Sequence, residues 1–252
     1  MDEHFPLEKT DRLVFDSYPV PVTIEQDNLN ISLKKQDGLL AYYRECGREV
    51  VEKSLLADRG QLYLNPVEPI NKPKELTPFF LVMLEQPLAV RPRENREITV
   101  TFPVEIASIF VGQGKSYTVL DVFSLVSPKY TLYGSPATGM LCRYWQSRVY
   151  AEPPETTFYL QGTMQVRVQN TTARWAEVTR MVFNAQDMKL FYDRHQVSMK
   201  GYMKILSDTT AETGFIEEHP KPAESIAKKS MDLFTSGKLL MAGPKMLMEE
   251  GI

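Results

Sequence analysis

Apolar residues recur at every second position along most of this chain, which is the period of a β-strand with one face on a core. The cleanest run is Ile98, Val100, Phe102, Val104 and Ile106. Leu160, Met164, Val166 and Val168 form another, opposite Gln161, Thr163, Gln165, Arg167 and Gln169, as in a sheet with one wet side. Val20, Val22 and Ile24 followed by Leu29, Ile31 and Leu33 predict a hairpin closed at Gln26-Asp27-Asn28, and Asp37-Gly38 marks a second turn before Leu40 and Tyr42. Phe79 to Leu84 is uninterrupted, which suits a strand covered on both faces. After Ile106 the apolar set changes phase to Ala107, Ile109 and Val111, so a bulge or a new strand is expected near Pro103 to Ser108. Val119 to Val126, Val178 to Phe183, Met188 to Tyr192 and Val197 to Leu206 complete the strands, while Arg48 to Leu56 fits either a short helix or another strand.

Short strands without long intervening helices, and no internal repeat, predict a mainly β chain: an antiparallel β-sandwich, either one large or two small stacked ones. The connector Asn65-Pro66-Val67-Glu68-Pro69-Ile70-Asn71-Lys72-Pro73 lacks several backbone donors and must cross an edge or link two sheets. The β-rich body is expected over residues 1–206, with a seam near 127–136, and a helical tail over 207–252. In that tail Ile226, Ala227, Met231 and Phe234, between Pro222 and Gly237, have the spacing of an amphipathic helix. Beyond it Leu239-Leu240-Met241 and Met246-Leu247-Met248 need somewhere to be buried.

Charge narrows the functional classes. The formal net charge is 29 − 32 = −3, with acids and bases interspersed, which does not recommend nucleic acid as a partner. No apolar run approaches the roughly 20 residues that span a bilayer, and the acidic start, Met1-Asp2-Glu3, argues against a cleaved export signal. Cys46 and Cys142 stand alone and read as reduced thiols, so a cytoplasmic location is expected.

Catalytic signatures are missing at each place where one is suggested. Gly112-Gln113-Gly114-Lys115-Ser116 ends like a phosphate loop but lacks the earlier glycine, and a strand pattern follows it, so it reads as a hairpin turn. His4, His195 and His219 have no second ligand at metal spacing, and neither a metal nor a cofactor is expected. Cys142, beside Arg143, reads as a small core residue rather than a nucleophile. Strand parity assigns Glu105 to the solvent side. Glu68, Glu105, Lys129, Tyr133 and Arg143 form the polar and aromatic set worth testing as a ligand site. Arg91, Arg93 and Arg96 are either a charged turn or an anion-binding cluster.

The succession Asn65-Pro66-Val67-Glu68-Pro69, Pro73-Lys74, Thr101-Phe102-Pro103-Val104-Glu105, Lys129-Tyr130 and Leu132-Tyr133-Gly134 resembles an archaeal family catalogued as domain of unknown function number 432. The resemblance spans about residues 60–200. It implies an archaeal cytoplasmic origin and offers no catalytic residues to transfer. The leading expectation is therefore a non-enzymatic β-sandwich protein that acts as a protein-interaction or structural module. Leu239, Leu240, Met241, Met246, Leu247 and Met248 would dock on a partner or on the chain itself. The alternative is a small-molecule or anion-binding β protein with hydrolytic activity. A third reading lays the tail helix, with Lys228-Lys229, against lipid headgroups.

Overall fold

The computed structural model describes residues 10–71, 76–113, 116–218, 228–229 and 245–252. The chain first writes β1 (Thr10–Asp11), β2 (Ser17–Pro19), β3 (Val22–Gln26), β4 (Leu29–Gln36), β5 (Leu39–Cys46), β6 (Glu49–Leu55) and β7 (Gly60–Val67). Next come β8 (Phe79–Val90), β9 (Asn95–Pro103), β10 (Glu105–Gly112), β11 (Tyr117–Phe123), β12 (Lys129–Tyr133) and β13 (Met140–Ser147). Last come β14 (Gln161–Asn170), β15 (Ala176–Asn184), β16 (Phe191–Tyr192), β17 (Val197–Ile205), β18 (Ala211–Ile216), β19 (Lys228–Lys229) and β20 (Met246–Met248). A 3-10 turn at Ala185–Asp187 is the one helical element among the described residues. Contacts divide the chain into two compact units, residues 1–65 with 106–125 and residues 66–105 with 126–252.

In the first unit a five-stranded sheet, ordered β1-β3-β4-β5-β6, accompanies a four-stranded sheet, β11-β10-β7-β2. The alternation that predicted the first hairpin is the observed burial pattern: Val22, Ile24, Leu29, Ile31, Leu33, Leu40 and Tyr42 are buried, with less buried neighbours between them. Asp27 turns the chain with φ of 51°, and Asp37 and Gly38 close the next hairpin with φ of 50° and 80°, the paired positive angles of a two-residue turn. Arg48 to Leu56, open to two readings in sequence, is the edge strand β6. The sheets meet at Tyr42 and Arg44, whose side chains reach Ser108 and Asp121.

The second unit contains a four-stranded sheet, β12-β13-β8-β15, and a seven-stranded one with the path β19-β16-β17-β14-β9, to which β18 and β20 add beside β17. Thr213 Oγ1 donates to the Val182 carbonyl and the Phe183 and Phe215 rings stack at 5.2 Å, joining the two layers. Gly162 is required where it lies, because a Cβ there would stand 2.6 Å from the Phe102 ring and 2.7 Å from the Val197 carbonyl. The pairing is mixed: β1 with β3, β13 with β8 and β14 with β17 run parallel.

One expectation holds here and two change. The phase shift near Pro103 is a strand boundary, at which the chain passes from β9 to β10 while the Val104 N–H bonds the Leu160 carbonyl at 3.1 Å. Every residue from Ile98 to Phe110 is buried, so parity no longer sorts wet from dry, and Glu105 is fully buried rather than solvent-facing. The described pieces of the tail are strands: Lys228–Lys229 pairs antiparallel with Phe191–Tyr192, and Met246–Met248 with Ala211–Thr213. The remainder of the expected helix, with Leu239, Leu240 and Met241, lies outside the described residues, as do Gly114 and Lys115.

Candidate functional site

The proline-rich connector ends in a tight turn, in which the Ile70 N–H meets the Glu68 carbonyl at 2.9 Å. Asn71 then locks it twice: its side-chain amide donates to the Glu68 carbonyl at 2.7 Å and its backbone N–H donates to Glu105 Oε2 at 2.9 Å. Glu68, Glu105 and Arg143 are all buried, each at most 1% exposed. Arg143 sits on β13 directly opposite Tyr130 of β12, with its guanidinium 5.7 Å from the ring centroid. Burial lowers the Arg143 pKa, opposed by the negative charge of Glu105 and by Tyr130. Among the described residues Arg143 Nε and Nη1 have no hydrogen-bond acceptor. The arrangement anchors a loop that has few backbone donors of its own, using a buried carboxylate and the field of a buried cation.

Lys129 and Tyr133 belong elsewhere. Lys129 is exposed at the start of β12. Tyr133 is buried at its end, where its hydroxyl accepts from the Glu250 N–H at 3.0 Å and donates to the Gly251 carbonyl at 3.3 Å. Arg180 lies over the Tyr133 ring at 5.4 Å and donates to the Glu250 carbonyl at 3.0 Å, and Thr179 Oγ1 donates to the Ile252 carbonyl at 2.9 Å. Tyr133 is therefore part of a clasp on residues 250–252. Next to it in sequence, Met246 and Met248 are buried against the chain's own sheet, and Leu247 is 49% exposed. The Cys142 thiol is pushed up to about 12 by burial, as suits a core residue.

The arginine cluster lies where three chain reversals meet at one end of the second unit: Arg91 to Glu94 between β8 and β9, Thr171 to Trp175 between β14 and β15, and Leu206 to Thr210 between β17 and β18. Buried Asn170 stitches the first two, its two amide N–H groups shared among the carbonyls of Val90, Arg91 and Arg174. Thr171 bonds the Ile205 carbonyl, and Arg93, held at φ of 58°, donates to the Thr171 carbonyl. Arg91 and Arg96 pair with Glu94 at 3.3 and 2.9 Å, and Arg174 pairs with Asp208 at 3.6 Å. From the same end project Trp175, 61% exposed, and Leu206, 41% exposed.

Sequence reasoning missed Trp175 and the first unit's polar core. In that core Arg44 Nε donates to Asp121 Oδ2 at 2.5 Å, Tyr42 donates to Ser108 Oγ at 2.9 Å, and the Arg44 guanidinium lies 5.2 Å from the Phe123 centroid. The parity of Leu40, Tyr42 and Arg44 was the available signal, since it places the arginine on the inward face. Among the described residues no cluster of histidine, cysteine, aspartate and glutamate is arranged to hold a metal ion, and no helix is long and apolar enough to cross a membrane.

Proline-anchored strands that lead into buried carboxylates are the features on which the chain resembles a known family. The chain belongs to the DUF432 family. The family model, described as Protein of unknown function (DUF432), matches residues 14–248, and so takes in both units and the strand β20. No curated protein and no solved structure matches the chain.

Proposed function

We propose that this DUF432 chain is a non-enzymatic β-sandwich module that works by binding a partner protein, with the three-loop end of the second unit as its contact surface. The observation that carries the reading is Trp175, 61% exposed on loops that are otherwise pinned by buried Asn170. Burying such an aromatic contributes about 2 kcal/mol, and tryptophan and arginine are the residues most often found to dominate interface energies. A chain with two cysteines far apart in sequence, Cys46 and Cys142, suits a reducing compartment such as the cytoplasm. The test is affinity capture from the native cell with the full chain and with Trp175→Ala. A partner recovered by the first and lost by the second, while both proteins melt at the same temperature, supports the reading. Equal recovery by both rejects it.

A second reading, small-anion binding, is favoured by Arg143, whose Nε and Nη1 have no acceptor among the described residues. It predicts heat on titration with inorganic phosphate or acetate that disappears in Arg143→Met. A flat titration of the intact protein removes it.

A further inference from the structure

The loop end of the second unit presents more than an aromatic. Arg91, Arg96 and Arg174 have side chains 62%, 69% and 80% exposed, and each already holds a carboxylate, Glu94 for the first two and Asp208 for the third. Exposed pairs of this kind stabilise a fold little, because water solvates both partners and salt screens them. They nonetheless show that these guanidiniums can receive carboxylates, and an incoming carboxylate can exchange with the resident one at small cost. The backbone beneath them does not need to move: Arg93 and Asn170 fix the loops through the carbonyls of Thr171, Arg91 and Arg174. The same group of loops carries Trp175 and Leu206, an indole and an aliphatic side chain in contact with water.

We infer that this surface recognises an extended acidic segment of a partner protein, with carboxylates taken by Arg91, Arg96 and Arg174 and an apolar side chain taken by Trp175 and Leu206. The inference rests on the partner-binding reading above and names the chemistry of that partner. Charge complementarity favours a peptide over other polyanions. A phosphate backbone or a lipid headgroup plane would press fixed negative charge on Glu94 and Asp208 as well as on the arginines. A peptide can place carboxylates one at a time on the guanidinium forks. The overall charge of −3 adds no long-range attraction for a polyanion. Two projecting apolar side chains are also a small area for membrane insertion.

The test uses the full chain and a fluorescein-labelled synthetic peptide that alternates glutamate with leucine, read by anisotropy, with an alternating lysine–leucine peptide as control. The glutamate peptide is expected to bind and the lysine peptide not. Raising the salt from about 0.05 M to about 0.5 M is expected to weaken binding roughly tenfold, as the screening length falls. Trp175→Ala should weaken it by about tenfold or more. Arg91→Gln, Arg96→Gln and Arg174→Gln together should abolish it, and since all three side chains are exposed this variant is expected to keep the wild-type melting temperature. The inference is overturned if the triple variant binds the glutamate peptide normally. It is equally overturned if anionic phosphatidylserine vesicles or single-stranded RNA bind the wild type more tightly than the peptide does. If a cellular partner is captured through Trp175 but the glutamate peptide does not compete with it, the acidic specificity fails and the partner-binding reading stands. If capture ignores Trp175, the reading itself fails.

Discussion

Arg44 and Arg143 are each withdrawn from water on a β-strand, and their surroundings treat the charge in opposite ways. In the first unit Arg44 meets Asp121 at 2.5 Å and Glu49 at 3.4 Å, and its pKa is raised although burial opposes this. In the second unit Arg143 rests on the Tyr130 ring within the field of Glu105, and burial lowers its pKa. One arginine is half of an ion pair that joins two sheets. The other is a cation beside a carboxylate whose Oε2 accepts a hydrogen bond from the Asn71 N–H. Burial of charge therefore has two structural uses in this chain: cross-linking a core, and holding a loop that prolines have deprived of backbone donors.

The contrast breaks most sharply at Asp121. Asp121→Ala strands a buried guanidinium and should lower the stability of the first unit by about 3–5 kcal/mol, measured by urea unfolding. Asp121→Leu combined with Arg44→Met should recover most of that loss. Glu105→Ala comes next, at about 2–4 kcal/mol, because Asn71 loses its acceptor and Arg143 its counter-charge. Glu105→Gln keeps an acceptor oxygen and should recover part of it in the same assay. Arg143→Met leaves the hydrogen bond between Asn71 and Glu105 intact but takes the counter-charge from buried Glu105, and should cost about 2 kcal/mol. A loss from Arg143→Met as large as that from Asp121→Ala would abolish the contrast.

The phenol of Tyr42, beside the Arg44 pair, has its pKa raised mainly by burial. The unfolded chain ionises this group near its ordinary value of about 10 while the folded chain keeps the proton. Its contribution to stability is therefore complete below about pH 10 and is lost as the pH rises toward the folded value. Unfolding midpoints from about pH 9 to 11 should fall more steeply for the wild type than for Tyr42→Phe. The smallest effect is expected at the loop end, where Trp175→Ala should change stability by no more than about 0.5 kcal/mol. A larger loss would mean that the indole is part of the fold and not kept for a partner.

Much of the fold was legible in the chain. Strand parity identified the β3–β4 hairpin and, apart from buried Gln165, the wetter face of β14; it did not identify β20, because residues 207–252 read as a helical tail. Glu68, Glu105 and Arg143 were singled out from sequence, and the structure buries all three in the second unit. Lys129 and Tyr133 were grouped with them as polar and aromatic candidates for a ligand site, yet β12 carries one into solvent and the other to the clasp on residues 250–252. Trp175 gave no periodic signal, since it occupies a chain reversal rather than a strand face.

Period-two patterning and turn residues determined by themselves that the chain is β and where most strands turn, because side-chain alternation and positive φ are local properties of the backbone. Tertiary structure alone decided which faces are dry, because a strand covered on both sides hides every residue whatever its parity, as it does from Ile98 to Phe110. It also decided which charges meet. Arg44 and Asp121 are 77 residues apart, and only the pairing of two sheets brings a guanidinium and a carboxylate that distant in sequence to 2.5 Å.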